Sequence, residues 1–212
     1  IRNMTETART VAYVVAAAVS LVVAWFATPP IDITPSQLAN ARLAQPFFPD
    51  FTDPNEPTSI RVVTFDEARA VARPFAVEFK DGLWTIPSHH GYPADGKDRL
   101  AKTAAGMIGI TKDDFRTDNV SDHEACGVID PLDTANPSLK GRGKRVTIKG
   151  ENDVVLADLI IGKSFEGREG FRLVRVPGQK RVYGARVNLD ISTKFKDWIE
   201  SDLMLIDKEE IE

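Results

Sequence analysis

Hydrophobic positions along this chain fall into three unlike patterns, and each predicts a different element. The stretch "TVAYVVAAAVSLVVAWFAT", residues 10–28, is apolar and carries no charge. A bilayer core takes roughly 20 apolar residues at about 1.5 Å each, so residues 11–28 read as a short transmembrane helix after a cytoplasmic segment, 1–10. Ala12, Ala16, Ser20 and Ala24 recur every fourth residue. On a helix they form a stripe of small side chains against which a partner helix can pack closely. A cleaved export signal is the competing reading, with Ala27 as its small residue, but the prolines that follow make a poor cleavage context.

The pattern then breaks. Residues 29–58 hold seven of the 13 prolines, which predicts an extended, semi-rigid arm. One short helix interrupts it, with Thr34 as cap, Pro35 at the first helical position and Gln37 closing a capping box. "PFFPDFTDP" is too apolar for a free linker, so Phe47, Phe48 and Phe51 are expected to dock on the domain or on a neighbour.

From Ser59 the pattern alternates as in strands. "SIRVVTF", "RPFAVEF" and "LWTIP" predict a three-stranded meander whose second turn sits at Asp81 and Gly82. A helical turn at "DEARAVA" is the alternative, since Thr64 and Glu67 also form a capping box. Leu100, Ala104, Met107 and Ile108 have helical spacing, with Asp95 as cap and Gly109 as stop. "SDHEACG" predicts one helical turn ended by Gly127. Two hairpins follow, turning near residues 150–152 and 177–178. A last helix starts near Thr193, with Phe195, Trp198, Ile199 and Leu203 on its core side. Strand runs, two or three helices and no βαβ rhythm define an α+β domain of antiparallel hairpins over residues 59–212. The closing "DKEEIE" reads like the approach to a further strand.

Charge adds orientation. Arg2 and Arg9 precede the apolar segment and Asp32 follows it, so the positive-inside bias puts the N-terminus in the cytoplasm and the bulk of the chain outside. In a bacterium that arrangement would be an inner-membrane anchor with a periplasmic domain. Residues 31–139 hold 10 basic and 17 acidic side chains, residues 140–186 hold 12 and 5, and residues 187–212 hold 3 and 8. The basic block, led by Lys140, Arg142, Lys144 and Arg145, falls on the two later hairpins. Outside the cytoplasm it suits anionic headgroups, cell wall or an acidic subunit, or it offsets the acidic face of its own domain; nucleic acid is not an expected partner.

Chemistry is sparse. A single cysteine, Cys126, excludes an internal disulfide and reads as a small buried hydrophobe. His89, His90 and His123 with Cys126 and Asp95 match no zinc spacing, so no metal is expected. The candidate ligand loop is His89, His90, Tyr92 and Asp95. There is no Gly-x-Ser-x-Gly elbow, and Ser88 is only a neighbour of His89. Asp113 with Asp114 and Glu209 with Glu210 sit in solvated turns, and "GRGKR" lacks phosphate-loop spacing. No catalytic residue, cofactor or enzymatic activity is expected.

"GLWTIPSHHGYPADGKDRLAKTAAGMIGI", "HEACGVIDP", "VLADLIIGK", "VRVPGQKRVYGARV" and "STKFKDWIESDLM" occur in that order. Together they resemble the bacterial domain-of-unknown-function family 4340, in particular its planctomycete-type, membrane-anchored members. Cys126 stands where the family usually has a tyrosine before Gly127. The resemblance implies a tethered extracytoplasmic domain found with gliding-type ABC transporter components, and transfers no catalytic residue. The expected function is a single-pass accessory or scaffold subunit whose partners are other transmembrane subunits and the lipid bilayer. The alternatives are a ligand-binding or hydrolytic domain using the 89–95 loop, and an anionic-headgroup or cell-wall binder.

Overall fold

The computed structural model describes residues 6–27, 43–189 and 191–199, and within 6–27 the side chains of residues 10–21. The chain divides into two compact units, Ile1–Leu38 and Ala39–Glu212. The first contributes helix α1 (Glu6–Ala27), 22 residues long. Ser20 Oγ donates to the Ala16 carbonyl at 2.9 Å, so the one hydroxyl of the small-residue stripe is satisfied inside its own helix. The side chain of Ala24 lies outside the described residues. Among the described residues no helix is long and apolar enough to cross a membrane.

The second unit is built on one antiparallel sheet. Its strands among the described residues are β1 (Ser59–Asp66), β2 (Val71–Lys80), β3 (Leu83–Ile86), β4 (Tyr92–Pro93), β5 (Asp114–Thr117), β6 (Lys144–Lys149), β7 (Val155–Ser164), β8 (Phe171–Arg175) and β9 (Val182–Arg186). Their order is β4-β3-β2-β1-β6-β7-β8-β9-β5. Two groups, the β1–β4 meander and the β6–β9 meander with β5 at its edge, are thus joined into one sheet by the β1–β6 pairing, which sets Val62 opposite Val146. The meander forms as expected. Lys80 pairs with Leu83 across Asp81 (φ 52°) and Gly82 (φ 84°), two left-handed positions whose twist suits a two-residue hairpin. Residues 67–70, "EARA", form a turn, not a helix.

Alternation along the strands divides the core between the two sheet faces. Ile60, Val62, Val146, Ile148, Leu159 and Val174 belong to the larger cluster, with Phe47, Phe51 and Trp198. Helix α2 (Lys97–Ile108) adds Leu100, Ala104 and Met107, spaced to share one helical face. Each such fully buried aliphatic contributes about 1.5–3 kcal/mol relative to exposure. The smaller cluster joins Ile160, Leu173 and Val182 to Val128 and Cys126, the last on helix α3 (His123–Cys126). Gly127, at φ 71°, stops α3 in the left-handed conformation.

Residues 43–58 are hydrogen-bonded to the domain: Phe47 N–H donates to the Ile110 carbonyl at 3.1 Å, Lys112 N–H to the Gln45 carbonyl at 2.9 Å, and Thr58 N–H to the Lys149 carbonyl at 2.8 Å. Prolines fix φ without preventing such docking, and the aromatic side chains between them drive it. Two expectations need correction. Asp95 does not cap α2. The N-cap is Gly96, with no side-chain cap, because a Cβ there would lie 3.0 Å from Val77 Cγ1 and 3.2 Å from the Trp84 ring. The helix expected from Thr193 is, in its described part, a single 3-10 turn (Phe195–Asp197). The expected short helix at Thr34, and Leu203, lie outside the described residues.

Candidate functional site

The β2–β3 hairpin places Phe79 directly opposite Trp84, their ring centroids 5.2 Å apart. Such a cross-strand aromatic pair presents broad apolar faces at modest entropic cost. Beside it run the 54–58 segment, the first turn of α2 and the β6–β7 turn. Together they enclose an open groove of about 530 Å³ lined by Phe79, Trp84, Leu100, Pro57 and Val154, with Lys97, Glu56 and Glu151 as its charges. That volume is ordinary for a ligand cleft. The lining sets apolar and aromatic contact beside the Lys97 ammonium and the Glu56 and Glu151 carboxylates. The aromatic pair flanking the Asp81–Gly82 turn was the sequence signal for this groove. Its far wall comes from residues assigned to the arm.

The sequence-predicted residues are dispersed. Phe47 and Phe51 are buried in the larger core, and Phe48 packs against it. Phe47 meets Tyr183 edge-on at 5.5 Å, so these rings bind the domain itself. In the 89–95 loop, His89 stacks on Phe195 at 4.5 Å and its Nδ1 lies 3.0 Å from Ser88 Oγ. Tyr92 meets Phe195 edge-on, His90 takes a left-handed conformation, and the Asp95 N–H donates to the Trp198 carbonyl. The loop borders the β4 edge. His123 is buried elsewhere, its Nε2 2.7 Å from the Lys180 carbonyl in the β8–β9 turn. A carbonyl only accepts, so Nε2 carries the proton. Among the described residues no group of three or more His, Cys, Asp or Glu side chains is placed to hold a metal ion.

The basic block does not form a uniform surface. Arg142 donates to four carbonyls, those of Ser138, Asp130, Asp133 and Asn136, while its guanidinium lies 4.6 Å from the Phe65 ring centroid. Arg145 pairs with Asp158 at 2.6 Å and with Asp130 at 2.9 Å. Its hydrogen bonds to Asp158 raise its already high pKa further. Lys144 is half-buried, and its pKa is lowered by burial and by the neighbouring Arg172. Of the four, Lys140 is exposed. Asp113 accepts from the Thr111 hydroxyl and from the Arg186 N–H, and Asp114 pairs with Arg168 at 3.7 Å, so these adjacent carboxylates hold strand ends. Glu209 and Glu210 lie outside the described residues.

Cys126 is 4% exposed beside Arg116 and Lys163. Burial raises its thiol pKa, and the Arg116 charge only partly opposes this. The folded state therefore holds the thiol proton to higher pH than the unfolded chain. Its contribution to stability is complete below the ordinary thiol value, about 8.5, and is lost as pH rises through the folded pKa. At pH 8 we expect an aromatic disulfide reagent to label Cys126 at least tenfold more slowly in the folded protein than in urea, read by absorbance. Equal rates would show an accessible thiol.

The described residues of the second unit thus form a single-sheet α+β domain with an aromatic groove on its β2–β3 hairpin. The chain belongs to the domain-of-unknown-function family DUF4340, whose profile matches residues 84–212, more than half of its length. No curated protein and no solved structure matches the chain. The match begins in β3, yet β1 and β2 are hydrogen-bonded into the same sheet, so the folded unit is larger than the matched region.

Proposed function

We propose that this protein is a single-pass, membrane-anchored accessory or scaffold subunit of a larger membrane complex, with its sheet domain in the periplasm of a bacterium. The observation that carries the reading is α1: 22 helical residues, all uncharged from Thr10 onward. At 1.5 Å per residue its uncharged part, residues 10–27, rises about 27 Å, near the short end of what a hydrocarbon core of about 30 Å takes. Within its described stretch Val11, Tyr13 and Leu21 are 62%, 75% and 73% exposed, a display of apolar surface that water disfavours. The Ala12, Ala16, Ser20 and Ala24 stripe supports a partner helix, because lipid cannot match the close contact small residues allow. Association with ABC transporter components rests on the family resemblance alone. The Arg142 and Arg145 contacts weigh against the headgroup reading, and the His89 stacking against a site in the 89–95 loop.

Native membranes carrying wild-type, Ala16→Leu or Ser20→Leu protein would be solubilised and the tagged chain captured. The expected result is a defined set of membrane proteins that co-purifies with wild type and drops at least fivefold in both variants, with circular dichroism of the domain unchanged. Release of the chain by alkaline carbonate, or unchanged co-purification in both variants, would refute the proposal.

A further inference from the structure

Arg175, the last residue of β8, is a cation 7% exposed with no carboxylate within ion-pair distance among the described residues. Its Nε donates to the Val128 carbonyl and its Nη1 to the Gln179 carbonyl, both at 2.9 Å. These bonds fix the plane of the guanidinium and leave Nη2 as its one nitrogen without a hydrogen bond among the described residues. The side chain lines a cleft of about 450 Å³, together with His123, Asp130, Asp133, Arg145 and Lys180.

The two carboxylates in that lining are committed elsewhere. Asp130 accepts from the Leu132 N–H and from Arg145 Nη1, both at 2.9 Å. Asp133 accepts from the N–H groups of Ala135 at 2.9 Å and Asn136 at 3.3 Å. Arg145 in turn also pairs with Asp158. Of the two arginines that line the cleft, Arg175 is thus the one with no carboxylate within ion-pair distance among the described residues. Its depressed pKa has burial as the leading cause, and Asp130 and Asp133 only partly offset it. Burying a cation without a counter-charge is strongly unfavourable, and a rigid guanidinium fork is the shape that receives a planar or tetrahedral oxyanion.

We infer that the Arg175 cleft binds the carboxylate or phosphate of a small organic anion, with Lys180 at the rim and the anion's carbon frame against Val120 and Leu132. Those two apolar side chains are 53% and 44% exposed and line the same opening. The site lies on β8 and the β8–β9 turn, apart from the aromatic groove, and stands independently of the membrane reading.

The test titrates inorganic phosphate, acetate and phenyl phosphate separately into the full chain in detergent, at constant ionic strength held with chloride. Calorimetry supplies the affinity, and the Arg175 Nε–H resonance reports the site. The expected result is saturable binding of an oxyanion in the millimolar range or tighter, a concurrent shift of that resonance, and phenyl phosphate binding more tightly than phosphate. Lys180→Ala, an exposed position, should weaken binding at least threefold, and Arg175→Lys at least tenfold. Preference for phosphate over acetate identifies a phosphate ester as the ligand class, and the reverse a carboxylic acid. Should Arg175→Lys not fold, the wild-type resonance and Lys180→Ala decide. No saturable binding, or binding that leaves the Arg175 resonance and the Lys180→Ala affinity unchanged, overturns the inference.

Discussion

Trp198→Ala should lower the stability of the folded unit by about 4 kcal/mol, within the usual 3–5 kcal/mol for truncating a buried tryptophan. Trp198 is 1% exposed and belongs to the larger core cluster. Its ring lies 5.9 Å from Phe75, and the Arg99 guanidinium stands 5.3 Å from its centroid. Its Nε1–H donates to the Ser192 carbonyl at 2.9 Å, and its own carbonyl accepts from the Asp95 N–H at 2.9 Å. One side chain therefore joins the 191–199 segment to β2 and to the start of α2. With a urea slope of about 2 kcal/mol per molar, the unfolding midpoint should fall by about 2 M. Trp198→Phe keeps most of the apolar surface and loses the indole hydrogen bond, so its cost should be about 1–2 kcal/mol. A midpoint within 0.5 M of wild type for Trp198→Ala, on the order of 1 kcal/mol, would mean that this segment is not docked in solution.

What the sequence disclosed and what it hid divide along a physical line. Local chemistry was readable. The Asp81 and Gly82 turn, the stop at Gly127, and both later hairpins depend on residues a few positions apart, and all are present. Long-range pairing was not. Nothing within residues 59–66 or 144–149 announces that β1 lies against β6, and that pairing makes one sheet out of separate hairpins. The partner of the phenylalanine-rich stretch was hidden for a related reason: three phenylalanines announce docking, but not that Phe47 and Phe51 are buried with Tyr183 and α2 far along the chain. Charge counting could not choose between the readings of the basic block, since a run of arginines looks the same whether it meets water or, as Arg142 does, four backbone carbonyls. The Arg175 cleft did leave a trace. In "FRLVRV" period-two alternation puts Arg175 on the same face as Leu173, which is buried in the smaller core cluster, and a charge at a core position needs explaining.

Gly141 tests how tightly the wall of that cleft is held. Its φ of 71° is left-handed, and an added Cβ would fall on backbone: inside contact distance of the Glu124 carbonyl oxygen, 2.7 Å from its Cα and 2.9 Å from its carbonyl carbon. Those atoms belong to α3 and cannot swing aside as a side-chain end does. The same residue accepts from the Ile129 N–H at 3.0 Å, next to the parallel bridge between Ile129 and Arg142. Gly167 supplies the comparison, with a φ of 81° and open space around its would-be Cβ. Both alanine variants incur left-handed strain of about 1 kcal/mol. Gly141→Ala adds an overlap with fixed backbone, commonly worth 1–3 kcal/mol, for a total of about 3 kcal/mol. Urea unfolding of the two variants therefore separates dihedral strain from close approach. If the variants lose equal stability, α3 and the 138–142 loop are not in contact as described. A large Gly141→Ala loss should be accompanied by exchange protection falling at the Ile129 amide, because the bond it makes to residue 141 is the first to be displaced.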